Sequence, residues 1–307
     1  MTKSNKNAET LNGVWTTIIN RLSHDGSLDL TAIEDQVAAY ATAGVDGVYS
    51  GGTASEIHCQ TEAEFQEIST RFARAAKKHA LPFQIGAAHP LPRGGLDRIS
   101  FAASLSPLAI QVTLPDWTPL DFESVRLFLD RAVEAASGTQ LVLYNPPHAK
   151  TVLKPVELSE LTTDYPAIIG LKCGGGDAKW YADMADVLDR ISVFIPGHFY
   201  ASGLAMGAHG SYSNMACLSP SAAVAWAQSD PTDAMNIEKR IADFMNEAIA
   251  PLIARGLPGF VCDKAMATAG DWATMSPEMM WPYSSVTADE ISRIASAARR
   301  HIPEFVS

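Results

Sequence analysis

Eight short apolar runs, each followed by an amphipathic stretch, predict an α/β chain folded as a closed (β/α)8 TIM barrel with a C-terminal helical extension. Three observations carry that expectation. The runs are short and apolar throughout, as strands of a parallel sheet covered by helices must be. The eight units occupy roughly 215 residues, close to the length such barrels need. Beyond about Pro220 the strand signals stop and only helical spacing continues.

Gly13 to Asn20 is rich in β-branched and aromatic residues and reads as the first strand, and Leu30 to Ala43 carries helical spacing. Asp46 to Ser50 is the second strand, ended by the turn-forming Gly51-Gly52. Thr61 to His79 is a long helix whose Thr61 and Glu64 fit a capping box. The alternation continues with strand Pro82 to Ala87, helix Arg93 to Leu105, strand Leu108 to Thr113 and helix Asp121 to Ala136. Strand Gln140 to Tyr144, a helix near Pro155 to Thr162, strand Ala167 to Leu171 and helix Ala178 to Arg190 follow. Strand Ser192 to Ile195, helix Tyr200 to Met206 and strand Gly210 to Ser213 complete the eight.

Ser221 to Gln228, Pro231 to Ala254, Gly259 to Ala269 and Ala288 to His301 read as helices. No linker rich in Gly or Ser precedes them. Residues 1–218 are therefore read as the barrel domain and 219–307 as a helical region packed on it. A doubly wound open sheet is the structural rival, weakened slightly because no GxGxxG opens a helix.

The chain has 307 residues, 47% of them hydrophobic and only 19% charged, which excludes a disordered chain. Its net charge of −11 repels phosphate backbones, so nucleic acid is not an expected partner. Cys59, Cys173, Cys217 and Cys262 lie far apart without CxxC spacing and read as reduced thiols. The polar stretch Met1 to Gly13 lacks the apolar core of a signal peptide, and no run is long enough to cross a bilayer. A cytoplasmic protein that needs no metal or cofactor and contacts no membrane is expected.

Function in a barrel gathers where strands end. Lys172 follows the apolar run Ala167 to Leu171, at the mouth of the sixth strand. A lysine there either marks a strand's exit into solvent or is a desolvated amine, nucleophilic toward a carbonyl. Tyr144 ends the neighbouring fifth strand, within reach of that amine. In Gly51 to Glu56 two glycines let a ligand approach the backbone, and the N–H groups of Thr53 to Ser55 suit a carboxylate or phosphate.

Taken together these segments resemble the family of dihydrodipicolinate synthase and N-acetylneuraminate lyase, the class I pyruvate-dependent aldolases. Gly52 to Glu56 resembles the family's GTTGE or GSTGE loop, Tyr144-Asn145-Pro146-Pro147 its YNxP element, and Ile168 to Gly176 its strand-six lysine segment. Gly207 to Gly210 is similar to the GxxG that opens strand eight, and Phe260 to Ala265 to part of the helical tail. The resemblance implies a Schiff base between Lys172 and a 2-oxo acid, with Tyr144 as proton shuttle and Thr53 relaying its proton. It implies further that the N–H groups of Ala54 and Ser55 hold the substrate carboxylate, and that Gly197 and the backbone of Tyr212 line the mouth. A homo-oligomer, tetramer or dimer, is implied as well.

Four departures narrow the reading. Ala54 replaces a threonine, leaving Ser55 to supply a hydroxyl. Ala149 stands where lysine-pathway synthases carry a carboxylate-binding arginine. Leu114 to Trp117 replaces the segment bearing a second tyrosine, and Cys173 replaces an acid. These argue against dihydrodipicolinate synthase itself and favour an aldolase or dehydratase, with a 2-oxo-3-deoxy sugar acid as one candidate substrate. His58, His148, His198 and Asp116 are then candidate contacts for its hydroxyls, weighed against ordinary loop residues. Rival readings are a synthase-like condensation, a metal enzyme using His89, His148 and His198, a phosphate cradle at Gly174 to Gly176, and a non-catalytic 2-oxo acid sensor.

Overall fold

Parallel strands hydrogen-bond in chain order, and the last pairs with the first, so the sheet has no edge. They are β1 (Gly13–Thr17), β2 (Gly47–Ser50), β3 (Phe83–Gly86), β4 (Ala109–Thr113), β5 (Gln140–Asn145), β6 (Ile168–Cys173), β7 (Ser192–Pro196) and β8 (Gly210–Tyr212). The structure is a computed structural model and describes residues 11–306. The polar N-terminal stretch read above lies outside them up to residue 10.

Alternation along the strands sends one set of side chains into the barrel and the other against the helices. The interior set is dominated by rings: Trp15, Tyr49, Phe194 and Tyr212 pack with Leu11, Ala109 and Val142. Outside, Val14, Val48, Ile85, Ile110, Leu143 and Val193 meet the helical shell, all of them nearly or wholly buried. Removing each such side chain from water contributes about 1.5–3 kcal/mol.

The capping box at Thr61 is formed, with the Glu64 N–H donating to Thr61 Oγ1 and the Thr61 N–H to the Glu64 carboxylate. Two helices expected to run unbroken do not. The Ala178 to Arg190 stretch divides into Ala178–Asp183 and Ala185–Arg190 at Met184, whose backbone leaves helical geometry. Pro231 to Ala254 widens into a π turn at Met245–Ile249. Pro251 lies just beyond; it lacks an N–H, and its ring crowds the carbonyl four residues back. Strand β1 is shorter than expected and β6 longer.

The tail packs on the barrel rather than beside it. Helix Gly259–Gly270 lies against a one-turn helix at Thr53–Ser55, after β2, and against the short helix Met215–Leu218, after β8. Helix Ala288–His301 packs behind it. Among the described residues no helix is long and apolar enough to cross a membrane.

Candidate active site

Register brings the two principal candidates together, because Tyr144 of β5 pairs directly with Lys172 of β6. β6 runs through Cys173, so Lys172 sits within the strand and points inward rather than marking its exit. Its ammonium nitrogen lies 4.5 Å from the ring centre of Tyr49, 4.3 Å from that of Tyr144 and 4.9 Å from that of Tyr212. It donates to the Tyr49 hydroxyl at 3.3 Å. Burial pushes the Lys172 amine down to about 7, with Asp263 and Cys217 pulling the other way. The residue as a whole is half-buried. A lysine so placed is an uncharged nucleophile near neutrality.

The Tyr144 hydroxyl meets Thr53 Oγ1 at 3.4 Å rather than the amine. Lys172 therefore faces the ring of Tyr144, and its hydrogen bond goes to Tyr49. Burial raises the Tyr144 phenol, an effect opposed by the Thr53 hydrogen bond. Burial also raises the Tyr49 phenol strongly, which keeps it a neutral partner for the amine.

Several buried polar contacts fix the loop after β2. Gly51 adopts φ +67°, and a Cβ there would lie 2.3 Å from the carbonyl oxygen of Gly86. Asn20 and Gln60 each donate to the Ser55 carbonyl at 2.7 Å. Glu56, fully buried with φ 54°, pairs with Lys264 at 2.8 Å and accepts the Met280 N–H at 2.7 Å. The Ser55 N–H and hydroxyl both donate to the Gly52 carbonyl, at 3.2 and 3.0 Å. That corrects the expectation for the Ser55 hydroxyl: it closes the turn instead of replacing the missing threonine. Ala54 is buried in the same turn.

Gly197 opens a one-turn helix against β8, with Ser213 so near that a Cβ on Gly197 would lie 2.4 Å from Ser213 Oγ. Tyr212 contributes more than backbone. Its ring is part of the wall around Lys172, and its hydroxyl donates to Gln84 Oε1 at 2.6 Å, where Gln111 also donates at 3.0 Å. Cys173 is packed against β7, its sulfur 3.7 Å from the Phe194 carbonyl oxygen, and burial pushes its thiol up to about 12.

The candidate hydroxyl contacts do not converge. Asp116 accepts the Lys150 N–H at 2.5 Å, His198 is bonded to Asn214, and His58 packs edge-on against Phe260 and Tyr283. His89 accepts the Leu91 N–H at 3.0 Å. Among the described residues no three His, Cys, Asp or Glu side chains gather into a metal-binding group, so the three-histidine arrangement does not form. Sequence reasoning missed Tyr49, which accepts the Lys172 hydrogen bond. Tyr49 had a signal, an inward strand position with a hydroxyl that burial obliges to find a partner.

Fold and mouth together define a (β/α)8-barrel enzyme built around a strand lysine. The dihydrodipicolinate synthetase family matches residues 10–290, so the chain belongs to that family and is a lyase. The N-acetylneuraminate lyase of Salmonella typhimurium is 26% identical over 206 residues, covering 66% of this chain and 68% of the relative. Among solved structures, the E. coli K12 prophage protein YagE, of the dihydrodipicolinic acid synthase family and in complex with pyruvate, superposes with a TM-score of 0.83 at 17% identity. That match covers 94% of this chain and 98% of YagE. Wild-type Ruminococcus gnavus sialic acid aldolase gives 0.82 at 17% identity, covering 95% and 97%.

Proposed function

We propose that this chain is a class I lyase. Lys172 forms a Schiff base with pyruvate or a related 2-oxo acid and catalyses aldol cleavage or condensation, or dehydration. The observation that carries the reading is Lys172 itself: an amine brought down to about 7 inside a wall of three tyrosine rings. The bound pyruvate of YagE and the catalytic lysine named for the R. gnavus aldolase belong to those proteins and lend support by likeness.

In this reading the neutral amine attacks the 2-oxo carbon, and the nitrogen, cationic in the imine, withdraws electrons from the neighbouring bond. A C–C or C–O bond one atom away can then break without a carbanion standing free. Tyr144 moves the proton as general acid and base, with Thr53 3.4 Å away to relay it. The substrate carboxylate lies over the backbone N–H groups of Ala54 and Ser55, the latter sharing its N–H with Gly52, while Gly197 and Tyr212 close the far side. The rest of the substrate is read as that of a 2-oxo-3-deoxy sugar acid, on the resemblance alone. Assembly into a dimer or tetramer belongs to the same proposal; Trp117, 81% exposed beyond β4, offers an apolar contact for it.

The test is intact mass after incubation with pyruvate and borohydride. Wild type should gain one reduced pyruvate adduct, and Lys172→Ala none. No adduct on wild type, with pyruvate and several larger 2-oxo acids tried, would end the imine reading.

A further inference from the structure

Three phenols surround the Lys172 nitrogen, and their hydroxyl groups have three different partners. Tyr144 meets Thr53 Oγ1 at 3.4 Å. Tyr212 donates to Gln84 Oε1 at 2.6 Å, an oxygen that the Gln111 amide also reaches at 3.0 Å. Both therefore offer the amine a ring face, which attracts positive charge. Tyr49 alone turns its hydroxyl to the nitrogen, at 3.3 Å. Among the described residues this is the one side-chain hydrogen bond that either group makes. Tyr49 is 5% exposed, and the sheet holds it from both sides, paired with Thr17 of β1 and Gln84 of β3. Its ring stands edge-on to that of Tyr212, centres 5.0 Å apart.

The same ring reaches the turn after β2. A Cβ on Gly52 would lie 2.6 Å from Tyr49 Cε2, the ring carbon next to the one that bears the hydroxyl. Gly52 has φ −88° and ψ 177°, extended backbone that any residue adopts. Its missing side chain therefore makes room for the ring rather than for the path of the chain. The Gly52 carbonyl in turn accepts the Ser55 N–H and hydroxyl that close the turn. One side chain, fixed in a strand, thus touches the amine nitrogen at its tip and the base of the turn at its edge.

We propose that Tyr49 sets the geometry of the imine: its hydroxyl oxygen accepts the one N–H that the Lys172 nitrogen keeps, while its ring holds the turn after β2 in register with that nitrogen. The proposal rests on the imine reading and deepens it. The neutral amine carries two hydrogens. As the C–N bond forms, one of them passes to the former carbonyl oxygen. The C–O bond then breaks, and the hydroxyl leaves as water with a proton delivered by Tyr144, which recovers it from solvent. The other hydrogen stays on the nitrogen, now cationic, and its bond to Tyr49 becomes charge-assisted. A planar imine has one N–H direction. An acceptor fixed there decides which isomer about the C=N bond forms, and hence on which side the carboxylate lies. Two phenols divide the work, Tyr49 at the nitrogen and Tyr144 at the atoms that exchange protons.

The experiment is borohydride trapping against pyruvate concentration, read by intact mass, for wild type, Tyr49→Phe and Gly52→Ala. Phenylalanine keeps the ring beside Gly52 and removes the oxygen. Its limiting trapping rate should fall about ten- to a hundredfold, as expected for one lost hydrogen bond to a charged group. Its half-saturating pyruvate concentration should stay within about twofold of wild type, since the turn keeps its support. Gly52→Ala should change both quantities, because its methyl group displaces ring and turn together. A merely structural Tyr49 would leave the limiting rate of the Phe variant unchanged, and that result overturns the proposal while leaving the imine intact. A wild type without adduct fails the imine reading first, and this inference with it. A crystal structure of the wild-type pyruvate adduct needs no variant: the imine nitrogen is expected within about 3.2 Å of Tyr49 Oη. A nitrogen turned to another acceptor overturns the proposal.

Discussion

Lys264→Met should cost the protein about 3–5 kcal/mol of unfolding free energy, a large share of the stability of an ordinary domain. Lys264 and Glu56 are 1% and 0% exposed, and their nitrogen and oxygen are 2.8 Å apart. At an effective dielectric near 20, attraction at that distance is about 6 kcal/mol, which offsets the several kcal/mol needed to take each ion out of water. Methionine matches the lysine stem but leaves the Glu56 carboxylate buried with the Met280 N–H as its remaining partner. The loss is therefore that of a stranded charge, not the net worth of the pair. Urea denaturation of wild type, Lys264→Met, Glu56→Gln and the double variant measures it. The double variant should lose less than the two single losses combined, since neither ion is then left alone. A Lys264→Met deficit below about 1 kcal/mol, or strict additivity, would refute the reasoning by showing that water reaches the pair.

Imine formation with pyruvate should rise with pH through about 7 and then level off. In the proposed mechanism the unprotonated amine is the nucleophile, and burial has lowered the pH at which Lys172 gives up its proton. Trapping rates across the neutral range report this, and a limb still rising near the ordinary lysine value would contradict it. Gly51→Ala should cost about 2–4 kcal/mol and, if the turn after β2 holds the substrate carboxylate as proposed, weaken pyruvate binding, since φ is +67° and the clash is with the rigid Gly86 carbonyl. Thermal unfolding together with the pyruvate concentration needed for half-maximal trapping checks both effects.

Much of this architecture is local in origin and hence readable from the chain. Short apolar runs separated by amphipathic stretches leave few options besides a buried parallel sheet, and Thr61 with Glu64 marks a helix start by chemistry alone. Lys172, Tyr144 and Thr53 stood out because their segments together resemble one family's motifs, whereas a lysine or tyrosine closing an apolar run, or a glycine-rich turn after one, is ordinary taken alone. What the sequence left open depends on distance through space. Tyr49 is separated from Lys172 by 123 residues. Only closure of the barrel points both into one interior and gives the amine a different phenol from the one its neighbouring strand suggested. Ser55 turned its hydroxyl inward because the turn needed the bond. The Lys264 pairing with Glu56 depends on how a tail helix seats on the loop after β2, 208 residues away in sequence. The sequence by itself determined the elements and the chemistry available at the strand ends. Tertiary structure alone decided which groups share one desolvated space, because burial and proximity, which set charge and reactivity, are properties of the packed molecule and not of the residues in order.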